Sequence, residues 1–279
     1  MKNLIYKITL KILSTVFPFR VKALLVEDLC PIKQIPGTRT KMRCNSRMTL
    51  VRFDEFWNRE PDTRGWIDTF KNKDIFWDIG ANVGIYSLYA SRNPMIKVWA
   101  FEPGAENYAI LNRNIETNKK KNITAFPIAF SERTGLGVLY QQSIQPGKAN
   151  NSFGKPIGTK GEVLEYAYAQ GAIGFSIDDF VELLSVPNHI KIDVDGIEGM
   201  ILRGAVNTLR DARVKSLMVE MYPSRPDYQE IFHLITASGF ICEKIIRNEN
   251  HHFIRNLQFK GAGIKEELWK QGMKCLKGD

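Results

Sequence analysis

The stretch that most constrains the fold runs from Ile75 to Pro103 and reads IFWDIGANVGIYSLYASRNPMIKVWAFEP. It begins with a short apolar run that ends at Asp78, which is typical of a strand buried on both faces. Glycine and asparagine then alternate over residues 80–84, and both residue types tolerate left-handed backbone dihedrals. The pattern predicts a strand, a tight turn and a helix.

A second apolar run follows at residues 98–101 and ends at Glu102, after a predicted helix that reaches Arg92. The order strand, helix, strand predicts a βαβ unit, which places a ligand site at the carboxyl ends of its strands. A carboxylate in the position of Glu102 can accept hydrogen bonds from both hydroxyls of a ribose. The unit therefore predicts a nucleoside site.

The turn departs from the dinucleotide fingerprint, which requires three glycines and a pyrophosphate at a helix N-terminus. Asn82 replaces the middle glycine, and Asp78 precedes the turn, where an acid repels a pyrophosphate and favours a cation. S-adenosylmethionine (SAM) carries a sulfonium and an ammonium group, so we expect SAM as the cofactor. The pattern D-x-G-x-N-x-G resembles the first motif of Rossmann-like SAM-dependent methyltransferases. The alternative is a βαβ unit whose glycines serve packing alone.

The rest of the chain alternates predicted strands and helices, which is typical of a doubly wound α/β sheet. Residues 135–163 are rich in Gly, Pro, Gln, Asn and Ser and exceed the usual connection length, so we predict an insertion that covers the acceptor. Further strands are predicted at 122–130, 189–194 and 216–220, with an edge strand and short helix at 175–184 and a final antiparallel pair at 240–247 and 252–259.

The N-terminal segment, residues 1–25, is apolar and basic. Lysines interrupt its apolar run, so we predict no transmembrane helix, and no small-residue cleavage site marks a signal peptide. Two interpretations stay open: an interfacial helix on an anionic membrane, or a helix packed on the domain or on a second subunit. We divide the chain into an amphipathic helix and cap at 1–65, a methyltransferase domain at 66–260 and a basic tail at 261–279.

The chain of 279 residues carries a net charge of +9, which favours an anionic partner such as a membrane surface, an acidic glycan or nucleic acid. Its four cysteines show no C-x-x-C spacing, so we predict neither a zinc site nor disulfides. We expect a cytoplasmic protein with a peripheral contact at the inner face of the membrane. The oligomeric state does not follow from the sequence.

Three stretches carry a resemblance to a known family: WDIGANVGIYSLYA, FEPGAENYAILNRNI, and KIDVDGIEGMILRGA followed by MVE. In order and spacing they resemble the FkbM family of SAM-dependent methyltransferases, over about residues 75–220. The resemblance implies a Rossmann-like sheet of seven strands, mostly parallel with an antiparallel last strand. The family pattern usually reads K-I-D-V-E-G-x-E, and Asp195 here replaces its first glutamate with a side chain one methylene shorter.

The resemblance also implies roles for individual residues. Asp193, at the end of a core strand, would face the transferred methyl group and the acceptor. The implied cofactor contacts are Asp78, Gly80, Asn82 and Gly84 on the methionine half of SAM, Glu102 on the ribose, and Ala129 and Ser131 beside the adenine, with Ala81 and Pro103 as their neighbours.

The chemistry of methyl transfer requires an aligned acceptor and a group that takes one proton. Asp193 is the predicted base, and Glu198 is either a supporting acid or a charge that favours the helix dipole. Asp193 and Asp195 also spell D-x-D, which can hold a divalent cation, but the motif is short and we expect no required metal. His251, near a predicted hairpin turn at the same sheet edge, is another candidate base, unless it and His252 are only a surface pair.

The sequence thus predicts an O-methyltransferase acting on a hydroxyl, and the resemblance suggests a sugar in a cell-surface glycan or its precursor. The first alternative is an RNA methyltransferase, but D-V-D-G stands where an N-P-P-Y-type loop would be expected, and no RNA-binding module is present. We therefore expect no nucleic-acid partner. The second alternative is a non-catalytic SAM-binding subunit of a glycan assembly complex. A glycosyltransferase would explain the D-x-D motif but not the D-x-G-x-N-x-G motif.

Overall fold

The computed structural model describes Lys11, Thr15, residues 30–246 and residues 250–255. Most of the predicted amphipathic helix at 1–25 and the whole basic tail at 261–279 lie outside the described residues. None of the described helices combines the length and the apolar content that a membrane span requires.

The described chain contains short strands and helices that alternate along the sequence. The strands are β1 (Ile32–Gln34), β2 (Lys41–Arg43), β3 (Ile75–Ile79), β4 (Lys97–Phe101), β5 (Ile123–Phe126), β6 (Ala129–Phe130), β7 (Gly135–Gln141), β8 (Asn151–Phe153), β9 (Tyr168–Phe175), β10 (His189–Ile192), β11 (Ser216–Glu220), β12 (Phe240–Ile246) and β13 (Asn250–Arg255). The helices are α1 (Arg47–Arg59), α2 (Pro61–Asp68), α3 (Ile85–Ala90), α4 (Ala105–Thr117), α5 (Ile177–Leu183), α6 (Glu198–Arg203), α7 (Val206–Arg210) and α8 (Tyr228–Ala237).

A seven-stranded sheet forms the centre of the fold, in the order β12-β13-β11-β10-β3-β4-β5. Strands β11, β10, β3, β4 and β5 pair in parallel, and β13 runs antiparallel to β11 and β12. This confirms the predicted doubly wound sheet with an antiparallel last strand. The strand order reverses beside β3, and the carboxyl ends on either side of such a point form a crevice for ligands.

The central strands are apolar because both faces of the sheet are covered. Successive side chains of a strand point to opposite faces. Accordingly, Phe76 belongs to one hydrophobic core and Trp77 to the other. Val98 and Trp99 of β4 divide in the same way. Strands buried on both faces leave polar groups for their ends, where the site forms.

The described part of the cap, β1, β2, α1 and α2, packs against the face of the sheet that carries α3. Ser46 begins α1 with a capping box, in which its hydroxyl accepts from the Thr49 amide and the Thr49 hydroxyl accepts from the Ser46 amide. Phe56 of α1 meets the rings of Tyr86 and Tyr89 edge to face, each at 5.2 Å. The cap therefore reaches the helix that follows the glycine turn.

A second sheet of four strands, in the order β6-β9-β7-β8, contains the predicted insertion. The prediction of one strand over residues 122–130 is wrong: β5 ends at Phe126, and β6 joins the second sheet. Pro127 separates them, because proline has no amide hydrogen for the ladder. For residues 175–184 the predicted short helix is present as α5, but the predicted edge strand before it is wrong, since β9 begins at Tyr168 and pairs on both sides, with β6 and β7.

The last two strands form the predicted antiparallel pair, but they meet earlier than expected. Strand β12 ends at Ile246 and β13 begins at Asn250. His251 and His252 therefore lie within β13, opposite Val219 and Met218 of β11, and not in the turn.

Candidate active site

A cavity of about 1080 Å³, counting the open space at its mouth, lies at the carboxyl ends of β3, β4 and β10. Asp78, Gly84, Ser131, Glu198 and His251 do not line it. The predicted site residues that do line it are Gly80, Ala81, Asn82, Glu102, Pro103, Ala129, Asp193 and Asp195.

The glycine turn has the left-handed backbone that the sequence predicts. The φ angles are +79° at Gly80, +52° at Asn82 and +86° at Gly84. A Cβ atom on Gly80 would lie 1.9 Å from the carbonyl oxygen of Asp193, and one on Gly84 would lie 2.3 Å from Leu111 Cδ1. The glycines thus let the turn approach β10 on one side and α4 on the other.

Asp78 lies beneath this turn and is fully buried. Its Oδ2 accepts a hydrogen bond of 2.6 Å from the Ser87 hydroxyl. Its Oδ1 has no partner within residues 30–246 and 250–255. Burial raises the pKa of this carboxyl above its usual range, although the nearby Lys191 ammonium and Ser87 oppose the shift.

Glu102 is held by backbone amides where β4 ends. Its Oε2 accepts from the amide of Asn82 and its Oε1 from the amide of Gly104, both at 2.8 Å. Burial raises the pKa of Glu102 to about 7, and the hydrogen bonds from the two backbone amides oppose the rise. Each oxygen keeps a lone pair that a ribose hydroxyl could use, so the carboxylate fits the role that was predicted for it.

The predicted insertion reaches the cavity through the segment between β7 and β8. The side-chain amide of Asn82 donates to the carbonyl of Lys148 at 3.1 Å, and Asn107 Oδ1 accepts from the amide of Gly147 at 2.8 Å. The amide of Asn150 donates to Asp195 Oδ2 at 2.7 Å. The segment therefore contacts both the glycine turn and Asp195.

Asp193 pairs with Lys191, a residue for which the sequence predicts no role. Lys191 Nζ lies 2.6 Å from Asp193 Oδ2 and 4.5 Å from the ring centroid of Tyr86. Burial favours the neutral form of Asp193, but the Lys191 ammonium outweighs burial and holds the pKa of Asp193 below its usual range. The available signal was a lysine inside an otherwise apolar strand.

Two more carboxylates stand beside Asp193. Burial, and then the charge of Asp193, raise the pKa of Asp195 to about 6. Burial and the neighbouring carboxylates raise the pKa of Glu220, at the end of β11, to about 10. One carboxylate oxygen from each of the three residues lies within 4.8 Å of the others, a spacing that could hold a metal ion. Glu220 was overlooked, although an acid at a strand end was the signal.

Glu198 supports the loop and does not face the cavity. Its Oε1 accepts from the amide of Gly196 at 3.1 Å and from the amide of Val194 at 3.3 Å. These bonds fasten the turn that carries Asp195, whose φ of +63° is left-handed. Burial raises the pKa of Glu198 to about 7.

His251 lies in the core beside α8 and does not reach the cavity. It is fully buried, and its Nε2 is 2.8 Å from the hydroxyl of Tyr228. Its ring also packs against Phe232 and Phe253. His251 is the second residue of β13, and its side chain lies in the core and not on the surface or in the cavity.

The cap supplies a wall of the cavity that the sequence analysis missed entirely. Arg52, Glu55, Phe56 and Glu60 come from α1 and its C-terminal cap, and all four line the cavity. Arg52 Nε donates to the carbonyl of Gly147 at 3.0 Å, which ties α1 to the insertion. Nothing in the spacing of these residues distinguishes them from an ordinary surface helix.

A doubly wound α/β sheet, a left-handed glycine turn and an acid after the next strand define a Rossmann-like protein with a nucleoside site. The family profile described as "Methyltransferase FkbM domain" matches residues 78–257. The chain belongs to the FkbM family of methyltransferases, as the resemblance implied.

Two relatives and one solved structure illustrate the similarity. The hexuronic acid methyltransferase AglP of Haloferax volcanii is 25% identical over 218 residues, which cover 75% of this chain and 83% of that protein. Methyltransferase 1 of Beauveria bassiana is 23% identical over 187 residues, covering 61% and 74%. A crystal structure of a methyltransferase FkbM from Methylobacillus flagellatus shows 18% identity and a TM-score of 0.45, covering 66% of this chain and 44% of that one.

Proposed function

We propose that this chain transfers the methyl group of SAM to a hydroxyl of a sugar, in a cell-surface glycan or its precursor. The observation that carries the proposal is one cavity lined by both Glu102 and Asp193, so a cofactor carboxylate and a candidate base share a single space. The name of the Haloferax relative, a hexuronic acid methyltransferase, supports a sugar acceptor.

The charge of the cavity suits a cationic cofactor. Among its described lining residues, six are acidic and only two are basic. The basic pair consists of Arg52, which is 3.3 Å from Glu55, and Lys191, which is bonded to Asp193. The acidic residues are Glu55, Glu60, Glu102, Asp193, Asp195 and Glu220, of which Glu220 is neutral near pH 7 because its pKa is raised to about 10. A sulfonium and an ammonium group are attracted to such a site, whereas an RNA backbone would be repelled.

The residues of this chain would bind the cofactor and manage one proton. Glu102 would accept hydrogen bonds from the ribose hydroxyls, and the unpartnered oxygen of buried Asp78 favours positive charge nearby. When bound, SAM supplies a methyl group that its sulfonium activates for displacement. Asp193 stays ionised beside Lys191 and can accept the acceptor's proton as the new bond forms. Asp195 is the alternative base.

The test is methyl transfer from radiolabelled SAM to a panel of soluble oligosaccharides, with RNA as the comparison acceptor. Incorporation into a glycan hydroxyl, located by mass spectrometry, would support the proposal. Incorporation into RNA alone would refute it. A protein that binds S-adenosylhomocysteine but methylates neither class would favour the non-catalytic alternative.

A further inference from the structure

Lys191 occupies an unusual place for a lysine. It lies in β10, between β3 and β11, opposite Asp78 and Met218, and all four residues of this strand are buried. Only 3% of its side chain is exposed. An unpaired buried ammonium is strongly destabilising, so this position requires a persistent anionic partner.

The contacts of Lys191 fix its ammonium at the wall of the cavity. Nζ lies 2.6 Å from Asp193 Oδ2, and the ring of Tyr86 packs against the same ammonium at 4.5 Å. The hydroxyl of Tyr86 donates to Glu60, so the cap holds the ring in place. Asp193 itself keeps 33% of its side chain exposed. A rigid, buried cation thus holds a carboxylate that remains open to the cavity.

The charge of Lys191 acts on more than one carboxylate. It also favours ionisation of Asp78, Glu60 and Glu220. Asp193, Asp195 and Glu220 have the spacing of a divalent-cation site, and the ammonium is already bonded to one of them. A cation that enters this cluster would meet the repulsion of Lys191 at close range.

We propose that Lys191 is a positioning residue of methyl transfer, a role that rests on the proposed function: its ammonium aims Asp193 at the acceptor and supplies the fixed positive charge that a metal ion would otherwise provide. In the step, the acceptor oxygen bonds to the methyl carbon, the carbon–sulfur bond breaks with its electron pair going to sulfur, and the acceptor proton passes to Asp193. Lys191 keeps its proton and its contacts throughout.

The first test needs no acceptor. Binding of Mn²⁺ is followed by electron paramagnetic resonance in the wild-type protein, in Lys191→Met and in Lys191→Met/Asp193→Asn. We expect weak binding by the wild type, tightening of about tenfold or more in Lys191→Met, and loss of that gain in the double variant. Lys97→Met, which removes an exposed lysine at the start of β4, should behave as the wild type does.

Micromolar binding of Mn²⁺ by the wild-type protein would overturn the proposal, whether or not the variants fold. Unchanged Mn²⁺ affinity in a folded Lys191→Met variant would also overturn it. Near-ultraviolet circular dichroism and binding of S-adenosylhomocysteine report whether that variant is folded.

The second test uses the methylation assay. Lys191→Met should lower kcat by about a hundredfold with little change in the KM for SAM, because positioning and not cofactor binding is lost. The acid limb of its pH–rate profile should move to higher pH, and Lys191→Arg should recover part of kcat. Wild-type kcat and pH profile in Lys191→Met would contradict the proposal. If the wild type methylates no hydroxyl, the proposed function fails, and the Mn²⁺ measurement still decides the placement of Lys191.

Discussion

The surroundings of two carboxylates in the cavity shift their pKa values in opposite directions. Burial raises the pKa of Glu102 to about 7. Asp193 has the ammonium of Lys191 at 2.6 Å, which lowers its pKa. Neighbouring carboxylates with separated pKa values can take different roles in one reaction. Here Glu102 is suited to hydrogen bonding with a ribose, and Asp193 is ionised before it accepts the proton.

Replacement of Asp193 tests its role as the base. Asp193→Asn should lower kcat by about a hundredfold to ten-thousandfold, because the amide cannot accept the proton, and affinity for S-adenosylhomocysteine should change little. Methyl transfer and calorimetric titration measure the two effects. The control is Asp54→Asn, because Asp54 is an exposed residue of α1 that pairs with Lys33. Full activity in Asp193→Asn would assign the base elsewhere, with Asp195 as the next candidate.

At the scale of elements, the apolar runs predicted where the central strands end. Asp78, Glu102 and Asp193 each follow an apolar run, and parallel strands bring their carboxyl ends together. Glu60 and Arg52 could not be predicted in this way, since they reach the cavity only through the packing of α1 on α3 and on the insertion. Nothing in the sequence indicates that the side chain of His251 is buried, because its contact with Tyr228 comes from the packing of α8 on the sheet.

The glycine turn gives a stability prediction. Gly80→Ala should lower the free energy of unfolding by about 3 kcal/mol or more, because alanine is strained at φ of +79° and its Cβ would overlap the Asp193 carbonyl. Urea denaturation measures the change. Gly65→Ala is the matched control: it lies in α2 with no atom within 4 Å of its new Cβ, and it should raise stability by up to about 1 kcal/mol. Equal stability of the two variants would contradict this account of the turn.

A buried polar network joins α2 to the end of the sheet at which β10 and β11 begin. Trp66 Nε1 donates to the Ser216 hydroxyl at 2.7 Å, and this hydroxyl is also 2.7 Å from His189 Nδ1. His189 Nε2 is 2.9 Å from Asp74 Oδ2, and Lys215 Nζ bonds the other carboxylate oxygen. A neutral histidine with its proton on Nε2 satisfies every one of these contacts.

This network predicts a loss of stability in acid. Burial lowers the pKa of His189 from 6.5 to about 4, despite the opposing effect of Asp74. Between these values the unfolded chain binds a proton that the folded chain does not, so the stabilisation is complete above pH 6.5 and is lost as the pH falls toward 4. Between pH 7 and pH 5 the wild type should lose about 2 kcal/mol more than His189→Gln. Urea denaturation at both pH values tests this, and parallel losses would contradict it.

At the scale of the whole molecule, charge is separated between surface and cavity. The chain carries a net charge of +9, yet most of the charged residues in the described lining of the cavity are acidic. Such a distribution draws the positive ends of a ligand inward while leaving basic residues for an anionic partner outside. The cap, the insertion and the main sheet all contribute to the cavity, so binding of a cofactor should stabilise all three together.

We propose that the basic residues of the N-terminal segment bring the protein to the inner face of the membrane. The full chain should sediment with vesicles that contain phosphatidylglycerol and be released by salt, since the attraction is electrostatic. A variant with glutamate at Lys2, Lys7 and Lys11 should stay in the supernatant. Equal sedimentation of both proteins would contradict the electrostatic role of these lysines, and a wild-type protein that stays in the supernatant would favour the alternative that this segment packs on protein.

The most direct test of the account is calorimetric titration of the wild-type protein and of Glu102→Ala with S-adenosylhomocysteine. We expect micromolar binding by the wild type and a loss of about tenfold or more in Glu102→Ala, since two charge-assisted hydrogen bonds to the ribose are removed. Absence of binding by the folded wild type, or equal binding by both proteins, would contradict the assignment of this cavity to the cofactor.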